Sequence, residues 1–112
     1  MFHGKSMSGP DGGIPMSMVV GVARVVLLIH SSFSLKDKRS VLRQVKDRTC
    51  NKFNVALAEV GDNDNHSRAE LGLAVVGNDR RHVNSMVDTI LLFIEDLNVA
   101  EVIETDFELL NY

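Results

Sequence analysis

The chain is predicted to fold as an α+β sandwich, one antiparallel sheet of four strands with two helices on one face. Three observations carry the prediction. The segments from Ser34 to about Asn51 and from Asn78 or Asp79 to Leu97 place apolar residues at helical spacing. Segments beginning at Met18, Phe53, Arg68 and Val99 read as strands, the first almost continuously apolar and the others alternating. Their order is βαββαβ, and Gly61–His66 and Gly77–Asp79 carry the turn chemistry between them.

With 112 residues the chain is expected to form one domain, over residues 18–112, behind a disordered N-terminal lead of residues 1–17. Gly4, Gly9, Pro10, Gly12, Gly13 and Pro15 punctuate that lead, and it shows no apolar period. It also lacks the apolar core that a secretory signal needs. The one cysteine, Cys50, excludes an internal disulfide and a cysteine-based metal cluster, which fits a reducing cytoplasm. The longest apolar run, Val25 to Ile29, is far too short to cross a membrane, so no membrane partner is expected.

The net charge of −3 conceals a strong asymmetry. Seven basic residues between Lys36 and Lys52 face only Asp37 and Asp47, whereas no Lys or Arg follows Arg81. The acids Asp88, Glu95, Asp96, Glu101, Glu104, Asp106 and Glu108 fill that last part. Such asymmetry bears on partners rather than on fold.

Met18 to His30 is apolar on both faces, as a central strand should be, with Arg24 sharing a face with Val20, Val22, Val26 and Leu28. Ser34 and Asp37 have the spacing of a capping box, and Asp37 suits the positive end of the helix dipole. Val41, Leu42, Val45 and Thr49 should line the inner face of the helix that follows. Lys36, Arg39, Arg43 and Lys46 fall within about 80° of one another on a different face and form a basic stripe. In the second strand, Phe53 to Val60, Val55 and Leu57 should lie on one side and Ala56 and Ala58 on the other. Leu71, Leu73 and Val75 share a face of the third strand, Arg68 to Val76. Val83, Met86, Val87, Ile90, Leu91, Ile94 and Leu97 make the apolar stripe of the second helix. In the last strand, Val99 to Leu110, Val99, Ile103, Phe107 and Leu109 should share one face with Glu101 and Thr105. Glu104, Asp106 and Glu108 should point the other way.

Two right-handed crossovers turn this order into a ferredoxin-like βαββαβ sandwich with strand order 4-1-3-2. The start of the first helix and the Asp62–His66 loop then share one end of the sheet. Asn51–Phe53, Gly77–Asp79 and the start of the second helix, with Arg80 and Arg81, share the other.

The ordered set of short segments resembles the YlxP-like family of small bacterial proteins of unassigned function. The matching pieces are Val19-Val20-Gly21-Val22, Ser34-Leu35-Lys36-Asp37-Lys38-Arg39, Phe53-Asn54-Val55 with Ala58-Glu59-Val60, Arg68-Ala69 with Leu71-Gly72, and Val76-Gly77-Asn78-Asp79. They span Met18 to about Leu110. Family members often carry an aromatic residue where this chain has Asn65-His66. The resemblance implies the ferredoxin-like fold. Family genes in several bacteria lie beside those of translation-initiation and ribosome-maturation factors, which implies a role near RNA or the ribosome.

The familiar activities of this fold each lack their residues here. His30-Ser31-Ser32-Phe33 supplies neither the glycines nor the arginine of a phosphate-cradling acylphosphatase loop, and one cysteine cannot make a copper-chaperone CxxC. Ala69 to Val76 has no aromatic residue for an RNA-recognition sheet. Five candidate sites remain. The stripe Lys36, Arg39, Arg43 and Lys46 suits phosphates, or else is a solvated helix face. Lys38 lies at the angle of the apolar stripe. It should run along the core edge, keep its ammonium wet, and pair structurally with Asp62, Asp64 or Glu59. His30 and His66 should share an end with Asp62 and Asp64, but their wide spacing argues against a metal. A lone helical Cys50 reads as inert. The open sheet face, with Val20, Val22, Arg24, Val26 and Leu28, is too apolar for a bare monomer and suits a homodimer or a protein partner. The sequence therefore reads as a non-enzymatic cytoplasmic binding protein that takes RNA or the ribosome through its first helix. The alternative is a dimeric interaction or regulatory module working through the open sheet face. No cofactor or metal is expected, and no small-molecule ligand is indicated.

Overall fold

The computed structural model describes residues 18–112; the expected disordered lead, 1–17, lies outside the described residues. The elements run β1 (Val19–Leu28), α1 (Leu35–Lys52), β2 (Ala56–Gly61), β3 (Arg68–Gly77), α2 (Arg80–Asp96) and β4 (Glu101–Asn111). They form one antiparallel sheet in the order β2-β3-β1-β4, the ferredoxin-like arrangement expected. Two elements begin later than their sequence pattern. β2 starts at Ala56 rather than Phe53, because Phe53 is the C-cap of α1 and its N–H donates to the Thr49 carbonyl. β4 starts at Glu101 rather than Val99, because Asn98 ends α2 with a positive φ of 57°.

The core lies between the sheet and the helices. Val25, Leu27, Ile29, Val45, Ala69, Val83, Val87 and Ile90 are fully buried in it. Gly21 lets α2 settle close to β1, since a Cβ there would stand 2.8 Å from both Val83 Cγ1 and Val87 Cγ2. At the far end Phe53 meets Phe93 of α2 edge-to-face at 5.3 Å, and the Lys52 ammonium lies near both rings.

Two expectations about the sheet need correction. A bulge shifts the β1–β4 register between Val26 and Leu27, so that Leu27 faces Val102 and Leu28 faces Glu101. The extra residue reverses the alternation. Val102, not Ile103, joins the core, and Ile103 stands 42% exposed. Glu101 moves to the face opposite Thr105, Phe107 and Leu109. The second correction concerns Val26, expected on the open face. It is on that side of the sheet but only 2% exposed, so it is no part of an accessible surface. Its cross-strand neighbours are Glu70 and Glu104, the two glutamates that Arg24 draws inward.

Candidate functional site: the first helix and its two flanks

The turn from β1 into α1 is built by short-range hydrogen bonds. Ser34 Oγ accepts from the Asp37 N–H at 3.1 Å, and the Asp37 carboxylate accepts from the Phe33 N–H at 3.0 Å. This is a reciprocal cap, with Asp37 reaching one residue further back than the standard box. Ser32, nearly buried, donates through Oγ to the Ser34 carbonyl, while the His66 ring nitrogen Nδ1 meets the Ser32 carbonyl at 3.2 Å. The backbone from Ser32 to Asp37 is thus held at several points.

Lys38 enters the structure differently from its expected place. It is 2% exposed, and its ammonium is enclosed rather than wet. Nζ donates to the Asp62 carbonyl at 2.6 Å and to the Asn65 carbonyl at 2.8 Å, and it meets Glu59 Oε2 at 2.8 Å. Three acceptors match the three N–H bonds of an ammonium, so the buried cation is fully satisfied. Of the three acids considered, Glu59 supplies the carboxylate. Asp62 contributes only its carbonyl, because its carboxylate accepts from Arg68 Nε at 2.8 Å. Asp64 lines the exposed Asp62–His66 loop, outside the group that holds Lys38. Glu59 reaches Lys38 because it pairs with Leu71, and so sits on the helix side of an edge strand. Lys38 therefore clamps α1, β2 and the β2–β3 loop together.

Lys36, Arg39, Arg43 and Lys46 are all exposed, and none forms an ion pair among the described residues. Arg39, Arg43 and Lys46 line a groove of about 510 Å³ between α1 and β2, with Leu42, Leu57 and Leu71 as its apolar wall and the carboxylates of Asp47 and Glu59, the latter paired with Lys38, also in its lining. β2 is an edge strand, so one row of its backbone groups opens toward this side. The stripe thus borders an accessible cleft.

The open sheet face has a charged middle and an apolar flank. Arg24 bonds Glu70 at 2.7 Å and Asp106 at 2.8 Å, with Glu104 at 3.5 Å. The hydrogen bonds that Arg24 donates to the Asp106 and Glu70 carboxylates hold the guanidinium pKa above its ordinary value. An upward shift of a cation leaves its contribution fully present below arginine's ordinary pKa, so the cluster does not switch near neutrality. Beside it lies a shallow trough of about 820 Å³, lined by Val22, Ala56, Ala58, Val60, Gly72 and Ala74 among others. Val60 and Val76 are 57% and 64% exposed, and Val20, Val22 and Leu28 are half-buried.

His30 and His66 do not converge. His30 Nε2 pairs with Glu101 Oε1 at 2.8 Å, and His66 turns to the Ser32 carbonyl. Among the described residues no three His, Cys, Asp or Glu side chains group as metal ligands. Cys50 is exposed, with its Sγ 3.5 Å from the Val55 carbonyl. Arg80 meets Asn111 at 3.1 Å at the end of the sheet away from Lys38, as the topology requires. Sequence reasoning passed over Phe33. Its ring is 81% exposed at the head of the basic stripe, and an aromatic residue directly before a polar helix cap was the signal that could have marked it.

These features define a ferredoxin-like α+β domain whose distinctive surface is a basic first helix. The chain belongs to the DUF503 family, described as proteins of unknown function, whose model matches residues 20–107. It is 35% identical over 83 residues to the uncharacterized protein YlxP of Bacillus subtilis (strain 168), covering 74% of this chain and 90% of that one. Similar solved structures include the de novo designed protein Foldit4, with a TM-score of 0.47, 16% identity, and 85% and 96% of the two chains covered. Another is LarC2, the C-terminal domain of a cyclometallase involved in synthesis of the NPN cofactor of lactate racemase. It has a TM-score of 0.45, 12% identity, and 86% and 57% of the two chains covered. No helix among the described residues is long and apolar enough to cross a membrane.

Proposed function

We propose that this protein is a non-enzymatic cytoplasmic binding protein that takes RNA along α1, with the phosphate backbone following Lys36, Arg39, Arg43 and Lys46. One observation carries the reading: four exposed cations, without ion-pair partners among the described residues, run along one side of α1, three of them over an open groove. Cations already neutralised by acids would gain little from phosphates. Unpaired ones release the counterions that RNA carries. The gene neighbourhood implied by the family resemblance favours ribosomal RNA. Fluorescence anisotropy with a structured RNA across a salt series tests the reading. Four phosphate contacts predict a slope of about −3 to −4 in log affinity against log salt. Changing Lys36, Arg39 and Arg43 together to Glu should abolish binding, and unaltered binding by that variant refutes it.

A second reading rests on the trough beside Arg24. A second copy of the chain seated there would bury Val22, Val60 and the alanines of β2, making a homodimer. Light scattering at micromolar concentration should give twice the chain mass, reduced to one chain by Val22→Asp. A single-chain mass for the unmodified protein excludes it.

A further inference from the structure

Phe33 is the most exposed of the large apolar residues in the described chain, at 81%. Such a ring on a loose loop would carry little meaning. This one is mounted on rigid backbone. Its own N–H is bonded to Asp37, and its neighbours Ser32 and Ser34 are tied to His66, to each other and to the helix cap. The ring does not act as a hydrophobic staple on the helix, because the corresponding position four residues into α1 is Lys38, which turns into the interior. An aromatic ring has few rotatable bonds, so a ring on fixed backbone offers a flat face at low ordering cost.

Its position gives the ring a chemistry. Lys36 stands three residues further on, in the first turn of α1, and Arg39, Arg43 and Lys46 continue the stripe over about 15 Å of helix. Of the acids beside this run, Asp37 is occupied by the cap and Glu59 by Lys38, which leaves Asp47, at the far end next to Lys46, against four cations. Across the turn, the Asp62 carboxylate is taken by Arg68, while Asp64 stands on an exposed loop and repels an anion. A polyanion that meets Phe33 is therefore directed along α1 and away from the loop. Flat aromatic surface followed by a cationic track is what single-stranded nucleic acid requires, a base on the ring and phosphates on the cations.

We infer that Phe33 is a stacking platform for an unpaired base, so that the RNA taken by α1 is single-stranded where it enters. The inference rests on the RNA reading above and narrows its ligand from structured RNA in general to a loop or an end.

The test uses the full chain, a fluorescein-labelled single-stranded RNA 12-mer and a blunt hairpin of equal length. Phe33→Ala should weaken binding of the single strand by about 5- to 150-fold, the range of one lost base stack, and leave its salt slope unchanged. The chain has no tryptophan, so Phe33→Trp introduces a lone reporter. Its emission should be quenched by the single strand and not by the hairpin. Unmodified thermal melting checks that both variants fold, as substitution of so exposed a ring should allow. If the Lys36/Arg39/Arg43 variant loses RNA while Phe33→Ala binds normally and the tryptophan stays unquenched, stacking is refuted and the phosphate reading stands. If the unmodified protein binds neither RNA, both fall. A tryptophan emission that shifts with protein concentration alone would place the ring against another copy of the chain and overturn the inference.

Discussion

Replacing Lys38 by Met removes the ammonium and keeps an unbranched apolar stem of similar reach. Three partners then lose their donor: Glu59 Oε2 and the Asp62 and Asn65 carbonyls. Removing one member of a buried ion pair costs about 3–5 kcal/mol. The Glu59 side chain keeps 28% of its surface, so water recovers part of its solvation and the lower end applies. The expected loss is about 3 kcal/mol, which lowers the melting temperature of a domain this size by about 12–24 °C. Urea unfolding followed by far-UV circular dichroism measures it, with Lys36→Met as the exposed control expected within about 0.5 kcal/mol of the parent. Because Lys38 also ties down the β2–β3 loop, amide exchange between Asp62 and Asn65 should quicken in the variant. Glu59→Gln keeps an acceptor and should cost less. The double variant should be more stable than the sum of the two losses implies, since the pair fails together. A loss below about 1 kcal/mol for Lys38→Met would refute the clamp and return Lys38 to the basic surface.

Gly21→Ala pushes a methyl group to within 2.8 Å of Val83 and Val87, which are stiff and fully buried. It should cost about 1–3 kcal/mol by overpacking, read from the same urea curves. The bulge in β4 predicts an inversion of the simple alternation. Val102→Ala should cost about 1 kcal/mol or more, and Ile103→Ala less, although Ile103 is the larger residue. The Arg24 cluster predicts that charge-neutralising Glu70→Gln changes the salt dependence of stability, because it leaves Asp106 and Glu104 as the guanidinium's remaining acids. Chemical denaturation at low and high salt reports the difference, and identical salt dependence in parent and variant would oppose a working cluster.

Most of the architecture is written in the chain's local patterns. Apolar residues at two periods mark the elements, and their order leaves the ferredoxin-like topology as the economical packing. The start of α1 is legible because Ser34 and Asp37 act over a few residues, and the inward angle of Lys38 follows from helical geometry alone. The basic stripe is legible for the same reason. What lies beyond reach is whatever depends on where distant backbone finally rests. Lys38 could be placed at the edge of the core, but its acceptors are two loop carbonyls and an inward-facing Glu59, set by the path of the β2–β3 loop and the pairing of β2 with β3. The bulge in β4 opposite Val26 and Leu27 depends on how β4 meets a strand far away in sequence, and it exchanges Val102 for Ile103 in the core. Burial of Val26 depends on side chains from three strands closing over one another. Exposure of Phe33 depends on the cap holding it outward while Lys38, the residue that could have met it, turns to the interior. Sequence by itself determined element type, order and the cationic helix, because those follow from interactions within a few residues. Tertiary structure decided which charges are spent on the fold and which remain on the surface, because a side chain's partner is set by the meeting of segments far apart in the chain.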